Sequence, residues 1–196
     1  MITPQTTAAI LLAAGAAKRF GGDKLGAAVD GETVLSHSAK ALAASGCAMR
    51  AAIVNEATVG HAPALRTLGY EAVLNKDASR GLSTSIRAGV AWAQSNGMQG
   101  VLIALADMPF INATHYRRLF REAQANDEQI AFTACGDRRS PPALFGICWF
   151  ELLQALSGDS GARALLASVS VAAGVEAPAE SLVDIDTPDD LLRGRD

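Results

Sequence analysis

The chain has 196 residues, of which 49% are hydrophobic and 19% are charged, and its formal net charge is −3. This length and apolar content are sufficient for a substantial core, so we expect a single domain that covers residues 1–196. The charge balance excludes the broad basic face of a nucleic-acid-binding protein, although a few local cations could still hold one phosphate chain.

An apolar stretch, Ala8–Ala17, lies near the N-terminus and could be mistaken for the core of a signal peptide. In a signal peptide, cations precede the apolar core, whereas here Lys18 and Arg19 follow it and no Lys or Arg precedes it. The stretch is also too short to cross a membrane. The three cysteines match no zinc pattern and are widely spaced, as expected of reduced thiols. We therefore predict a buried strand that runs into a loop, in a cytoplasmic protein that does not enter membranes.

Short apolar runs alternate with amphipathic segments, and this alternation predicts an α/β fold with a mostly parallel sheet. The predicted strands are Ala8–Ala13, Met49–Asn55, Tyr70–Leu74, Val101–Ala106, Gln129–Ala134, Ala143–Phe145 and Leu182–Asp186. The helices predicted between and after them are Thr33–Ser45, Thr58–Leu68, Leu82–Ser95, Asn112–Asn126, Trp149–Leu156, Gly161–Ser168 and Pro188–Leu192. Because ligands bind beyond the carboxyl ends of such strands, we expect the chemistry at Ala14–Lys24, Asp107 and Asp186.

The loop after the first predicted strand combines small residues with three cations, Lys18, Arg19 and Lys24. Small residues allow backbone N–H groups to approach a ligand closely and to form an anion-binding concavity. The loop therefore predicts a triphosphate site; the alternative is a flexible surface loop with ordinary charges. It is not a Walker loop, because Leu25 follows Lys24, and it is not a dinucleotide fingerprint, because Ala17 stands where the second glycine belongs.

Asp107 directly follows the buried run Val101–Ala106. A carboxylate at the end of a central strand, beside a phosphate loop, is a potential Mg²⁺ ligand, because Mg²⁺ is often held by one or two carboxylates plus substrate phosphates. The alternative is an acid that caps a turn.

Asp184 and Asp186 alternate with apolar residues, which predicts that both lie on one face of the last strand. Thr187 then reads as a helix N-cap, with Asp190 reaching back to it. Asp186 has no such structural task, so it is the better second metal ligand and Asp184 the weaker one. Two carboxylates beside a cationic loop favour phosphoryl-type transfer, which depends on positioning and charge neutralisation. The three histidines lack metal spacing and are interpreted as surface or packing residues.

Several segments resemble the nucleotidyltransferases that attach a nucleotide to the molybdenum cofactor. The most specific is the first loop, with Leu12-Ala13-Ala14-Gly15, Arg19-Phe20-Gly21 and Lys24. The other similar segments are Asn75–Gly89, Leu105–Pro109, Gly158–Arg163 and Asp184–Asp190. Together they extend over nearly the whole chain.

The resemblance implies a three-layer α/β/α sandwich of the nucleotide-diphospho-sugar-transferase type. It assigns nucleotide binding to Leu12, Ala13, Ala14, Gly15, Gly81 and Ser85. Arg19 and Lys24 would hold the triphosphate and stabilise the departing pyrophosphate, while Asp107 and Asp186 would hold Mg²⁺. The terminal phosphate of molybdopterin would attack the α-phosphate, and a molybdoenzyme of the xanthine dehydrogenase type would receive the finished cofactor.

The identity of the nucleotide depends on small differences between branches of this family. Ala14-Gly15 and Asp107-Met108-Pro109 resemble the cytidylyl branch, whereas Gly21–Lys24 resembles the guanylyl branch, so we favour CTP over GTP. The chain departs from the family at Ala17, where Ser or Gly is usual, and at Ser140, which replaces a glycine near the expected acceptor site.

Three other functions remain open at this point. A related nucleotidyltransferase for a sugar- or alcohol-phosphate would share Arg19, Lys24 and Asp107 and differ in its acceptor pocket. A catalytically silent cofactor-binding chaperone would bind nucleotide without releasing pyrophosphate. A nicotinamide-dependent oxidoreductase is disfavoured because the dinucleotide fingerprint is missing.

Overall fold

The computed structural model of the protein describes residues 2–15, 19–159, 161–170 and 173–195. In chain order, its strands are β1 (Thr7–Leu12), β2 (Ala28–Val29), β3 (Glu32–Thr33), β4 (Met49–Val54), β5 (Glu71–Leu74), β6 (Gly100–Leu105), β7 (Ile130–Cys135), β8 (Arg138–Gly146) and β9 (Gly174–Glu176). β2 and β3 form a short hairpin. The other strands form one sheet with the order β5-β4-β1-β6-β8-β7-β9.

The sheet is mostly parallel, as predicted. Only β8 among its strands runs against its neighbours, β6 and β7. Every residue of β1 is buried, which explains its uninterrupted apolar sequence, because a parallel strand is covered on both faces. Leu12 of β1 pairs with Ile53 of β4 and with Leu105 of β6. The three central strands therefore end at the same level, and the residues that follow them meet at one edge.

Helices cover both faces of the sheet, which gives the predicted three-layer α/β/α sandwich. The helices are α1 (Val34–Ala43), α2 (Ala62–Thr67), α3 (Leu82–Ser95), α4 (Ala113–Gln124), α5 (Phe150–Gln154) and α6 (Gly161–Ser168). α1, α2 and α4 pack on the face that contains Ala9 and Leu11, and α3, α5 and α6 pack on the face of Ala8 and Ile10. None of the helices in the described part of the chain has the length and apolar content needed to cross a membrane.

The prediction of a strand at Leu182–Asp186 is wrong. A 3₁₀ helix occupies Ala179–Leu182, and residues 183–187 belong to no strand. The outermost strand of the sheet, beside β7, is instead β9, which the sequence pattern did not reveal. Within the alternating segment, Ile185 is apolar because it is buried in the core. Its N–H donates to the carbonyl of Asp107 at 2.9 Å. The segment therefore packs at the end of β6 through this one backbone hydrogen bond, and its apolar–acidic alternation does not reflect a strand.

Other elements differ from the prediction at their boundaries. The predicted helix Thr58–Leu68 divides into a 3₁₀ helix, Val59–His61, and α2, which has proline in its first turn. A 3₁₀ turn, Ile147–Trp149, precedes α5, and the final helix is the 3₁₀ helix Pro188–Arg195. β8 is much longer than the predicted Ala143–Phe145, because the strand continues through two prolines that normally interrupt such a pattern.

The core contains one buried polar chain that connects α4 with β7 and β8. His115 is 6% exposed, and its Nε2 lies 2.8 Å from Oγ1 of Thr133. Since the Thr133 hydroxyl donates to the carbonyl of Pro142 at 2.7 Å, Nε2 of His115 carries the hydrogen of that contact. Burial lowers the pKa of His115 to about 4, and the positive charge of Arg118 adds to the effect. The imidazole is therefore neutral in the folded protein at neutral pH.

We expect His115 to make the protein less stable as the pH falls from 6.5 toward 4. The unfolded chain binds a proton near pH 6.5 whereas the folded protein resists it, so the stabilisation is complete above pH 6.5 and is lost below it. The loss should amount to about 2–3 kcal/mol. Guanidinium unfolding of wild type and His115→Asn at pH 7 and pH 4.5 tests this, because the variant should lose less stability on acidification. An equal loss in both proteins would contradict it.

Candidate active site

Asparagine side chains that follow two strands shape the edge where the central strands end. Nδ2 of Asn55, directly after β4, donates to the carbonyl of Ala14 at 2.9 Å and holds the loop that follows β1. Nδ2 of Asn75, directly after β5, donates to Ser85 Oγ at 3.0 Å and to Thr84 Oγ1 at 2.9 Å. The first loop and the beginning of α3 are thereby fixed to the same edge of the sheet.

Lys24 is brought into this edge by a tight turn. The carboxylate of Asp23 accepts the N–H of Gly26 at 3.1 Å and lies 3.1 Å from Nε2 of His61. These contacts hold the turn, and Lys24 points inward with an exposure of 7%. A lysine this buried requires a carboxylate partner, because an unpaired ammonium loses much of its hydration.

Two carboxylates supply that partner. Nζ of Lys24 lies 2.5 Å from Oδ2 of Asp107 and 3.5 Å from Oδ1 of Asp186. Arg19 reaches the other oxygen of Asp186, with NH1 and Oδ2 3.1 Å apart, although its side chain is 77% exposed. One ammonium group thus bridges the two carboxylates, and a second cation lies on their solvent side.

Asp186 is held in place by the residues that follow it. The carboxylate of Asp190 accepts the N–H of Asp186 at 3.2 Å, and it accepts both the N–H and the hydroxyl of Thr187 at 2.8 Å. The prediction that the Asp190 side chain contacts Thr187 at the start of the last helix is therefore confirmed. Together with the bond from Ile185 to Asp107, these contacts place Asp186 beside the end of β6.

Asp184 does not share a strand face with Asp186, contrary to the prediction, and it has different partners. Its Oδ2 lies 3.8 Å from NH2 of Arg163 and 3.9 Å from NH2 of Arg138. Its Oδ1 is buried and has no hydrogen-bond partner among the described residues. Burial raises the pKa of Asp184, and the negative charge of Asp107 raises it further, while Arg163 and Arg138 offset part of this shift.

A cleft with two lobes lies over these groups. The first, which we call the glycine lobe, has a volume of about 320 Å³ and is lined by Ala14, Gly15, Gly81 and Ser85 among others. The second, the aspartate lobe, has a volume of about 190 Å³ and is lined by Asp107, Pro141, Arg163, Asp184 and Asp186 among others. The two lobes meet at Leu82 and Asp159, which line both.

Gly81 is a position at which the structure requires glycine. Its φ is +112°, a conformation that L side chains rarely adopt. A Cβ atom there would also lie 2.5 Å from the carbonyl group of Gly158. That carbonyl accepts the N–H of Ser83 at 3.2 Å, so the missing side chain lets residues 158–159 pack against the start of α3 and form the wall between the lobes.

Residues 9–175 match the family described as MobA-like NTP transferase domain. The chain belongs to this family. It is also 33% identical to the purine catabolism protein PucB of Bacillus subtilis (strain 168) over 199 residues, which cover 94% of each chain. The chain is thus a nucleotidyltransferase of the MobA-like type, and its resemblance to that group, recognised from sequence segments, is confirmed.

Solved structures of other nucleotidyltransferases share the fold. A nucleotidyl transferase from Methanothermobacter superposes with a TM-score of 0.82 at 23% identity, over 97% of this chain and 96% of that one. Molybdopterin-guanine dinucleotide biosynthesis protein A from Archaeoglobus fulgidus superposes with a TM-score of 0.64 at 18% identity, over 95% and 96% of the two chains. This MobA-like chain therefore shares its overall fold with these nucleotidyltransferases.

The fold of this MobA-like transferase brings together most of the residues singled out in the sequence. Ala14, Gly15, Gly81 and Ser85 line the glycine lobe. Leu12 and Ala13 lie beneath it and are buried: the carbonyl of Leu12 accepts the N–H of Ala106, and the N–H of Ala13 donates to Ile53. These two residues support the lobe without lining it. Ala17 and Lys18 lie outside the described residues.

Sequence reasoning missed two features of the site. Asn55 was not assigned a role, although an amide side chain directly after a buried strand is a signal that could have found it. The contact of Arg138 and Arg163 with Asp184 carried no such signal, because these residues come from three segments far apart in the chain.

Proposed function

We propose that this chain is a Mg²⁺-dependent transferase that moves CMP from CTP to the terminal phosphate of molybdopterin and releases pyrophosphate. The proposal depends above all on the Lys24 ammonium between Asp107 and Asp186, because these two carboxylates line the aspartate lobe, which adjoins the glycine lobe. Neutralising phosphate charge and aligning two phosphates are what such a transfer requires of a protein. The MobA-like family and the resemblance of Ala14-Gly15 and Asp107-Met108-Pro109 to the cytidylyl branch support it further.

In the proposed reaction, an oxygen of the acceptor phosphate forms a bond to the α-phosphorus of CTP. The bond from that phosphorus to the oxygen bridging the α- and β-phosphates breaks, and pyrophosphate leaves with the electron pair. Ala14, Gly15, Gly81 and Ser85 would bind the nucleoside in the glycine lobe. Lys24 and Arg19 would turn from the carboxylates toward the triphosphate and stabilise the negative charge that develops on the leaving group.

The charges of the site fit a divalent cation. Asp107 and Asp186 already share one positive group, the Lys24 ammonium, so their oxygens converge on a common point. Among the described residues, no group of three or more His, Cys, Asp or Glu side chains forms a complete metal site. Mg²⁺ is commonly held by one or two carboxylates and completed by substrate phosphates, so this pair would suffice. When bound, the ion would neutralise phosphate charge and orient the α-phosphate.

Pyrophosphate release with Mg²⁺ and molybdopterin, compared for CTP, GTP, ATP and UTP, tests the proposal. Release with CTP alone is the expected result. Release with GTP alone would keep the reaction class and reverse the nucleotide. Release only when a phosphosugar or phosphoalcohol replaces molybdopterin would reassign the acceptor. Nucleotide binding without release with any acceptor would reject the transferase in favour of a silent binding protein.

Asp186→Asn is expected to raise the Mg²⁺ concentration required for half-maximal turnover by at least about 10–100-fold, the loss that follows even when only a residue supporting a metal ligand is removed. The amide keeps the shape of the side chain but provides less negative charge for the ion. Asp184→Asn is the matched control, because Asp184 faces Arg138 and Arg163 and should affect this requirement much less. The opposite ranking of the two variants would make Asp184 the metal ligand.

A further inference from the structure

A second group of charges, formed by Arg138, Arg163 and Asp184, lies at the aspartate lobe apart from Asp107 and Asp186. Arg138 lies at the start of β8, Arg163 lies in the first turn of α6, and Asp184 lies in the segment after the 3₁₀ helix Ala179–Leu182. The two arginines are about half exposed. Arg163 and Asp184 line the lobe, and Arg138 lies beside it, 3.9 Å from Asp184.

The contacts within this group are loose. The distances of 3.8 and 3.9 Å from the guanidinium nitrogens to Oδ2 of Asp184 exceed those of a hydrogen bond. The other oxygen of Asp184 is buried without a hydrogen-bond partner in the described part of the chain. The carboxylate therefore attracts both guanidinium groups without receiving a hydrogen bond from either.

A phosphate monoester matches this arrangement better than the carboxylate does. It has three terminal oxygens, and the planar guanidinium group donates two parallel hydrogen bonds to such oxygens. Gly161 and Ala162, which open α6 together with Arg163, also line the lobe. The first N–H groups of a helix have no intrahelical partner and favour an anion at this position.

We propose that Arg138 and Arg163 bind the phosphate group of the acceptor, and that Asp184 is the counterion that holds the two guanidinium groups together while the site is empty. The proposal rests on the transferase function proposed above and divides the cleft between the substrates. The nucleoside triphosphate occupies the glycine lobe, and the acceptor enters the aspartate lobe from the side of Pro141 and α6. Asp107 and Asp186 lie between the two phosphates that react.

The arginines thereby determine the chemical class of the acceptor. They hold two oxygens of its phosphate group while the third attacks the α-phosphorus. An acceptor that offers a neutral hydroxyl in place of the phosphate would leave two guanidinium groups without an anion. The specificity of the site is therefore for a phosphate monoester, whatever group the phosphate is attached to.

Inorganic phosphate is the probe that tests this assignment. It is titrated by calorimetry into protein saturated with Mg²⁺ and α,β-methylene CTP, which occupies Arg19 and Lys24 and cannot be cleaved at the reacting bond. Arg138→Gln and Arg163→Gln are each expected to weaken phosphate binding by about 10–100-fold, the effect of losing charged hydrogen bonds. The affinity for the CTP analogue should stay within about twofold of wild type, since the arginines do not contact the donor. Arg117→Gln is the matched control, because Arg117 lies on the exposed side of α4 and contacts Thr114.

Two results would overturn the proposal. Weaker binding of the analogue with unchanged phosphate binding would assign the arginines to the donor triphosphate. Equal phosphate binding in wild type and in both variants would show that this end of the lobe holds no phosphate. Failure of the transferase function has a different signature: the wild-type protein would bind nucleotide but release no pyrophosphate with any acceptor, while weaker phosphate binding in the two variants would still support the anion site.

Discussion

Lys24→Met is expected to lower turnover with CTP, Mg²⁺ and acceptor by about 10²–10³-fold, the usual effect of removing one group that stabilises transition-state charge. Methionine retains most of the length of the side chain but cannot neutralise the triphosphate. The effect should be large because Lys24 is buried, so water cannot replace the missing charge effectively. Single-turnover rates with saturating CTP measure it directly.

The matched control for this prediction is Lys40→Met. Lys40 also forms an ion pair, with Glu32, but its side chain is half exposed and lies on α1, away from the lobes. It should leave turnover unchanged. Thermal unfolding of both variants shows whether the fold is intact. Turnover of Lys24→Met within a few-fold of wild type, in a folded protein, would remove Lys24 from the proposed reaction.

Asp107→Asn is expected to have an effect of similar size, about 10²–10³-fold on turnover, for two reasons. The amide is a poor Mg²⁺ ligand, and Lys24 loses the closer of its two carboxylate partners. We also expect a lower unfolding temperature, because the largely buried Lys24 ammonium keeps only the more distant carboxylate, Asp186. Rates are therefore compared well below the unfolding midpoint, and Mg²⁺ binding is measured in parallel.

Asp127→Asn provides the control for the same chemical change. Asp127 is exposed and precedes β7, so it lies at the opposite edge of the sheet from the ends of the central strands. It should change neither turnover nor Mg²⁺ binding. If Asp107→Asn keeps wild-type turnover and an unchanged Mg²⁺ requirement, the carboxylate serves the turn after β6 rather than the reaction.

The central part of the fold could be predicted because local sequence determines it. Buried parallel strands such as β1 and β6 are continuous apolar runs, and α3 has helical spacing between clear boundaries. The positions of Lys24 and Asp107 at one edge follow from the same pattern, since the carboxyl ends of parallel strands lie side by side. Asp190 could be predicted as well, because the contact between Asp190 and Thr187 is local.

The outermost strand of the sheet, β9, could not be predicted in the same way. Val183 and Ile185 alternate with acids as a strand would, yet β9 pairs with β7 instead. Which segment reaches an edge depends on the path of the chain over the helices, and three residues such as Gly174–Glu176 carry too little pattern to reveal it. The direction of β8 depends in the same way on its pairing with β6 and β7.

The sequence by itself thus determined the succession of the central strands and helices along the chain, the loop with its glycines and cations, and the acid after β6. Each of these depends on residues close together in the chain. Only the tertiary structure decided which charges meet. Lys24 pairs with Asp107 and Asp186, whereas Asp184, two residues earlier, faces Arg138 and Arg163. Such pairings join segments that are distant in sequence, and they form because partly buried charges must find partners where packing brings their segments together.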